Sequence, residues 1–313
     1  MSTTNSEPGK SLKRLALCFL LTFPLGLAGC RSIATRALAG AVSGSGGTYA
    51  SDDDPELVRA AVPFGLKTME ALLDEHPEHE GLLTGLSSGF TQYAYAFVQQ
   101  DADAADLDGK TAEVKALRAR ARKLYLRARD YGLRGLEVRR PGLSARLRAL
   151  KDLGAALASA DKDDVPLLYW TAASWALAIA SAKDRMDLVA ELPAPEAMMT
   201  RALALDEAFD AGAIHEFFIA YDAARSESAG GGIARATAHY DRAMALSGGR
   251  KLGPIVNFAE SVCVQKQDRA EFMRLLEQVL KADAEAEPRY RLANVIAQRR
   301  ARLLLAHADD LFL

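Results

Sequence analysis

From Pro55 onward, apolar positions recur every three or four residues and rarely alternate, a pattern that predicts one helix after another. Ala, Leu, Arg and Glu fill these segments and β-branched runs are scarce, which favours the same reading. Pro77, Gly132, Pro141, Pro166, Pro193, Pro195, Gly212, Gly248, Pro254 and Pro288 punctuate the pattern into segments of ordinary helix length. The predicted fold is all-α, an irregular array of roughly 11–13 helices arranged as hairpins. Pro63 falls inside the first segment and is expected to kink or divide it.

One stretch fits no single period. In SSGFTQYAYAFVQQ (87–100), Tyr93, Tyr95 and Phe97 alternate as in a strand, while Phe90, Tyr93 and Phe97 follow a helical stripe. A lone strand among helices would have no partner, so helix is favoured. Phe90, Tyr93 and Phe97 then face the core, and Gln92, Tyr95 and Gln99 form a neighbouring, more polar strip. Gly89 is expected to allow a close helix approach or a local irregularity there.

Helix ends superpose at Glu70, Arg201, Arg242 and Glu277, the last three at intervals of 41 and 35 residues. That is the period of a helix-hairpin array. In ATAHYDRAMALSGG, Ala236, Tyr240 and Ala243 with Gly248 resemble the second helix of a tetratricopeptide repeat, small residues letting helices approach and the tyrosine filling the gap. Tyr125 and Ala128 form a similar large–small pair.

The N-terminus follows different rules. Lys10, Lys13 and Arg14 precede an apolar run, Leu15 to Leu27, too short to span a bilayer, and Leu-Ala-Gly-Cys ends it at Cys30. This resembles a bacterial lipobox and implies cleavage before Cys30, a lipid on it, and an anchor on a membrane surface. Residues 1–29 are expected to be a signal peptide and residues 30–54, rich in Gly and Ser and ending in Asp52-Asp53-Asp54, a tether. A single helical domain would occupy 55–313. Arg31 after the cysteine leans toward the outer membrane by resemblance to enterobacterial sorting.

Charge adds an exclusion. Loss of residues 1–29 removes three basic residues and one acid, taking the formal charge from −2 to −4, with no basic excess to suggest nucleic acid. Beyond Cys30 only Cys263 remains, so no internal disulfide supports the fold, and a buried thiol is the expected state. His76-Pro77-Glu78-His79 reads as a turn rather than a metal site. No nucleophile elbow, zinc motif, Walker loop or dinucleotide fingerprint is present, so neither catalysis nor a cofactor is expected.

Asp164 is placed to cap a helix with Pro166 in its first turn, and Leu167 to Ala180 carries no charge, as in a helix buried on most faces. Both tryptophans lie there. His215 and Glu216 open an apolar helix, and Asn257 and Glu260 share a helix face. A satisfied core group accounts for each singly. Together with Gln92 they have the composition of a ligand cavity, apolar walls carrying a few fixed polar groups. The candidate wall is Tyr93, Tyr95, Phe97, Tyr169 and Trp170; the candidate orienting groups are Gln92, His215, Asn257 and Glu260.

The segments ASDDDPELVRAAVPFGLK, GFTQYAYAFVQQ, RARKLYLRARDYGLRGLEVRRPG, DVPLLYWTAASWALAIA, GAIHEFFIAY, GPIVNFAESVCVQKQDRAEFMRLLEQVL and LANVIAQRRARLLLAHADDLFL, in this order, resemble the TRAP transporter T-component family. These are periplasmic tetratricopeptide-type lipoproteins of tripartite ATP-independent transporters. The resemblance implies a homotrimer with a pore in each protomer, docking to the transporter's periplasmic solute-binding protein, and a small organic solute, a hydrophobic acid. The competing expectation is a tetratricopeptide scaffold that binds only protein in an open groove. A hydrolase is disfavoured because no nucleophile–base pair is visible.

Overall fold

The computed structural model describes residues 1–2, 46–182 and 184–312. Cys30 and residues 3–29 of the segment expected to be a signal lie outside the described residues. The described residues are all-α, with no strand among them.

A short helix, α1 (Gly46–Ala50), comes first, within the stretch expected to be tether. Next comes α2 (Pro55–Glu75), whose start is set by Asp54: its carboxylate accepts from the Glu56 and Leu57 amides at 2.9 and 3.1 Å. Pro63 does not divide the segment: α2 runs through it as one helix. The His-Pro-Glu-His turn follows, and His79 Nδ1 accepts from the Leu82 amide at 3.2 Å to cap α3 (Glu80–Tyr93).

The ambiguous aromatic stretch is helical, but not uniformly so. At Ala94–Gln99 the helix widens to π geometry before α4 (Gln100–Leu107) resumes. A π segment adds a residue to a turn, so neither the 2.0 nor the 3.6 period describes it. The long α5 (Thr111–Arg139) then crosses α3 and α8 (Val165–Ala180), with α6 (Leu143–Arg148) and α7 (Leu153–Leu157) between. Gly132 makes this crossing close: a Cβ there would lie 2.1 Å from Thr171 Oγ1.

As its lack of charge predicts, α8 is buried on most faces. Asp164, however, does not cap it. This fully buried carboxylate is held by Arg139 Nε at 2.5 Å and Arg140 Nη2 at 2.9 Å, and accepts from the Asp161 amide. Two arginines outcompete a helix end for a buried carboxylate because a charged pair satisfies more of its lone pairs. Burial alone would raise its pKa, but these donors prevail and hold it below the usual carboxylate range.

The chain continues through α9 (Met186–Val189) and α10 (Pro193–Leu205) into the pair α11 (Ala213–Ala223) and α12 (Ile233–Ser247). Here the small–large–small reading matches the packing. Ala236 and Ala243 are fully buried, Tyr240 stacks on Phe258 at 4.4 Å, and Gly248 ends the helix in the left-handed region, φ 59°. A second widened turn, Ala259–Cys263, follows α13 (Gly253–Phe258). The last helices are α14 (Arg269–Lys281), α15 (Arg291–Ala306) and α16 (Ala308–Leu311).

Two hydrophobic clusters dominate the interior. The larger runs from Val58 to Phe218 and takes in Ile296; the second, around Phe272 and Leu276, draws on residues from Leu252 to Ala308. Each fully buried Leu or Phe contributes about 1.5–3 kcal/mol of burial. The array closes on itself, because α15 returns to the N-terminal helices: Arg299 Nη1 pairs with Glu56 at 2.6 Å, and Arg291 Nη1 donates to the Ser51 carbonyl at 3.0 Å.

Candidate functional site

Where the second cluster meets the first, a cavity of about 680 Å³ remains. Its walls come from α2 and α3 on one side and from α13 and α15 on the other, with Val58, Leu66, Met69, Val256 and Ile296 supplying apolar surface. Both π segments open onto it, through Tyr95, Ala96, Phe97 and Gln99 from the first and Glu260 from the second. A π turn rotates the following side chains relative to an α-helix, and such turns gather at functional sites.

Seven of the nine candidate ligand residues share this lining: Gln92, Tyr93, Tyr95, Phe97, Trp170, Asn257 and Glu260. Tyr93 and Phe97 are nearly buried and stiffen the wall, their ring centroids 5.5 Å apart. Tyr95 differs. Half its surface is accessible, but that surface faces the cavity, and desolvation followed by the nearby Glu260 and Glu216 carboxylates drives its hydroxyl far above the usual phenol range. Asn257 is already engaged, donating to the Glu216 carbonyl at 2.9 Å and accepting from Ser261 at 3.1 Å, so it ties α11 to α13.

Two candidates sit elsewhere. Tyr169 lies behind the lining, edge-on to Trp170 and packed on Phe209. His215 turns into the α11–α12 interface, where its Nδ1 is 2.7 Å from His239 Nδ1 and its Nε2 is 3.2 Å from Glu207 Oε1. Burial pushes both imidazoles down. The adjacent Glu216, about 100° further round α11, is the residue that reaches the cavity.

Six charged side chains of the lining went unselected by sequence reasoning: Asp103, Asp210, Glu216, Lys251, Arg289 and Arg300. Arg300 forks onto Glu260 (Nε–Oε2 3.2 Å, with a second shorter contact) and lies 3.2 Å from Asp103. Its desolvation is outweighed by these carboxylates, which raise its pKa further. Burial raises the Asp103 carboxyl in spite of Arg300. On the other side Lys251 Nζ lies 3.0 Å from the Asp210 carbonyl, 3.1 Å from its carboxylate, and 3.8 Å from Glu216 Oε2. Burial lifts the Glu216 pKa; Lys251 opposes this and Asp210 adds to it. In sequence these residues sit in an acidic run, a turn and an arginine string, settings that read as solvated surface. Glu216 alone carried a signal, as a charge on an apolar helix, but shared it with His215.

Four carboxyl groups (Asp103, Asp210, Glu216, Glu260) thus meet three cations (Lys251, Arg289, Arg300) in a largely apolar chamber. Such a site can enclose an elongated amphipathic molecule and fix its polar end. Among the described residues no helix is long and apolar enough to cross a membrane.

The sequence profile of one protein family, the TRAP transporter T-component, matches residues 51–312. A protein of Treponema pallidum (strain Nichols), itself described as uncharacterized, is 32% identical over 267 residues, which span 85% of this chain and 82% of the relative.

Proposed function

The chain belongs to the TRAP transporter T-component family, and from that membership we propose that it captures or relays a small amphipathic organic solute for a TRAP uptake system. Membership itself gives a role in TRAP transport at the bacterial envelope, in association with other TRAP components. The finer reading is a lipoprotein held through Cys30, facing the periplasm from the outer membrane and assembled as a tetratricopeptide-like homotrimer. It would dock to the solute-binding protein and accept a hydrophobic acid or similar amphiphile.

The observation that carries this reading is the cavity at the seam of the two hydrophobic clusters. It combines aromatic and aliphatic walls with a short list of polar groups, the composition of a small-molecule site. The return of α15 onto α2 supports this reading over the open concave groove of a protein-only scaffold. Gln92, Tyr95 and Trp170 are among the residues that line it.

Native mass spectrometry of protein purified from envelope tests the solute half. The expected result is an adduct of one aliphatic molecule per protomer, lost in Ala96→Trp, which narrows the chamber. Crosslinking in envelope extract tests the partner half: a TRAP solute-binding protein is expected, and recovery of secretion or cell-wall machinery alone would overturn it. An adduct-free protein that also fails to take up added amphiphiles would overturn the solute reading.

A further inference from the structure

The charges in and around the chamber fall into three groups, and only one of them carries an excess of cations. Arg300 meets two carboxylates, Glu260 and Asp103, and Lys251 meets Asp210 and, at 3.8 Å, Glu216. The third group stands at the turn that leads into α15. There Glu287 is shared by Arg250 at 3.5 Å and Arg289 at 3.6 Å. Arg291 has no carboxylate partner among the described residues, and its Nη1 donates to the Ser51 carbonyl instead. Three guanidiniums thus share one carboxylate. Of the three, Arg289 belongs to the chamber lining. Its guanidinium donates no hydrogen bond among the described residues, and its side chain is 57% exposed, against 12% for Lys251 and 13% for Arg300. Arg300 also keeps an unused donor, Nη1, but that atom is buried against Asp103, 3.2 Å away. Arg289 lies over the Tyr290 ring, 4.6 Å from its centroid, which steadies the flat group and leaves its N–H edge uncommitted.

We propose that Arg289 binds the carboxylate of an acidic amphiphile at the rim of the chamber, beside α1, with the alkyl chain running inward between α2 and α15. The inference rests on the reading of the cavity as a solute site and names the residue that holds the acid. The physical reason is desolvation. A carboxylate drawn among the inner groups loses its hydration and meets two carboxyls for each cation. At a half-exposed guanidinium it keeps water on one side and gains a charge-assisted hydrogen bond, in the forked geometry that suits a carboxylate. The position also sets the path of the chain. The turn that carries Arg289 packs against α1 and leads directly into α15, where Leu292 and Ile296 line the chamber opposite Val58 and Val62 of α2. These side chains offer the chain apolar surface and ask no hydrogen bond of it.

The test is displacement of the neutral apolar dye N-phenyl-1-naphthylamine from the chain beginning at residue 31, by decanoate and by decanol at about pH 8, where the acid is ionised and the arginine charged. Decanol reports the apolar chamber alone; decanoate reports the chamber and its anchor. In Arg289→Gln decanoate is expected to bind about tenfold more weakly, the scale of one charge-assisted hydrogen bond, while decanol binds as it does to wild type. Retained decanol binding also shows that the variant is folded. Arg302→Gln removes the same charge from an exposed position of α15 outside the lining, and should leave the decanoate-to-decanol ratio unchanged. An unchanged ratio in Arg289→Gln, an equal fall in Arg302→Gln, or a wild type that binds decanol but not decanoate would overturn the anchor and leave the solute site standing. Failure of the dye and both ligands to bind wild type would overturn the site itself.

Discussion

Arg300 shows at the scale of one residue how the chamber is held. Its side chain is only 13% exposed, and it neutralises two carboxylates from distant parts of the chain, Asp103 after the first π segment and Glu260 within the second. Removing one partner of a buried pair leaves the other charges desolvated, which costs far more than the pair's net worth. Arg300→Ala is therefore expected to destabilise the fold by about 3 kcal/mol at pH 8. The sign with pH follows from Asp103. Its pKa is raised in the folded chain by burial and would rise further without the arginine, so the folded state binds its proton more tightly than the unfolded state. Such a group contributes stability below its unfolded pKa and loses it as pH rises through the folded one. Urea titrations should find the gap between Arg300→Ala and wild type smallest near pH 5 and widest at pH 8; a gap that widens on acidification would refute this account.

Helices, where they meet, obey packing rules that are legible in sequence to different depths. Charge-free α8 was readable as a buried helix, and Ala236, Tyr240 and Ala243 as a close helix contact, because period and side-chain size act locally. The strip Gln92, Tyr95, Gln99 was also readable, as a face distinct from Phe90, Tyr93 and Phe97. The π turns were not, since an extra residue in a turn leaves no fixed spacing, and neither was Lys251 or Arg300, whose importance comes from what the closed array brings to them. Asp164 was misread for the same reason: its arginines precede it by some 24 residues. Glycines at the α5 crossing give a sharper test. Alanine in place of a mid-helix glycine gains about 1 kcal/mol in propensity, but overpacking costs about 1–3 kcal/mol. At Gly132 the new methyl would meet Thr171 Oγ1 at 2.1 Å, on a short side chain already bonded to the Leu167 carbonyl at 2.6 Å, and Ser87 Oγ at 2.9 Å. At Gly135 it would meet the tip of Leu167, which can turn away. Gly132→Ala should lower the denaturation midpoint by about 1–2 kcal/mol equivalent while Gly135→Ala stays near neutral; equal effects would mean that the crossing relaxes as a unit.

Closure is the property of the whole molecule on which the chamber depends. The last long helix contacts the first, and α1 packs against α15 and the Pro288–Tyr290 turn, so Tyr49 and Ala50 form part of the chamber wall. These residues fall where the sequence reads as tether. Neither hydrophobic cluster has a fully buried member before Val58, so the core should survive without α1. A chain starting at Asp53 keeps the Asp54 cap of α2 but loses Tyr49, Ala50 and the Ser51 carbonyl that Arg291 uses. Its thermal midpoint should fall by only a few degrees, since about 1 kcal/mol shifts a domain of this size by about 2–4 °C. Bound N-phenyl-1-naphthylamine should leave it faster by about tenfold, because one wall of the chamber no longer has to move aside. Stopped-flow dissociation of the dye from this chain and from the chain beginning at residue 31 measures the difference. Equal rates at equal affinity would mean that solute enters elsewhere, between α2 and α15 or along the π segments. A faster rate with an unchanged melting profile would make α1 the cover of the chamber, and would set the path of entry on the side of α1.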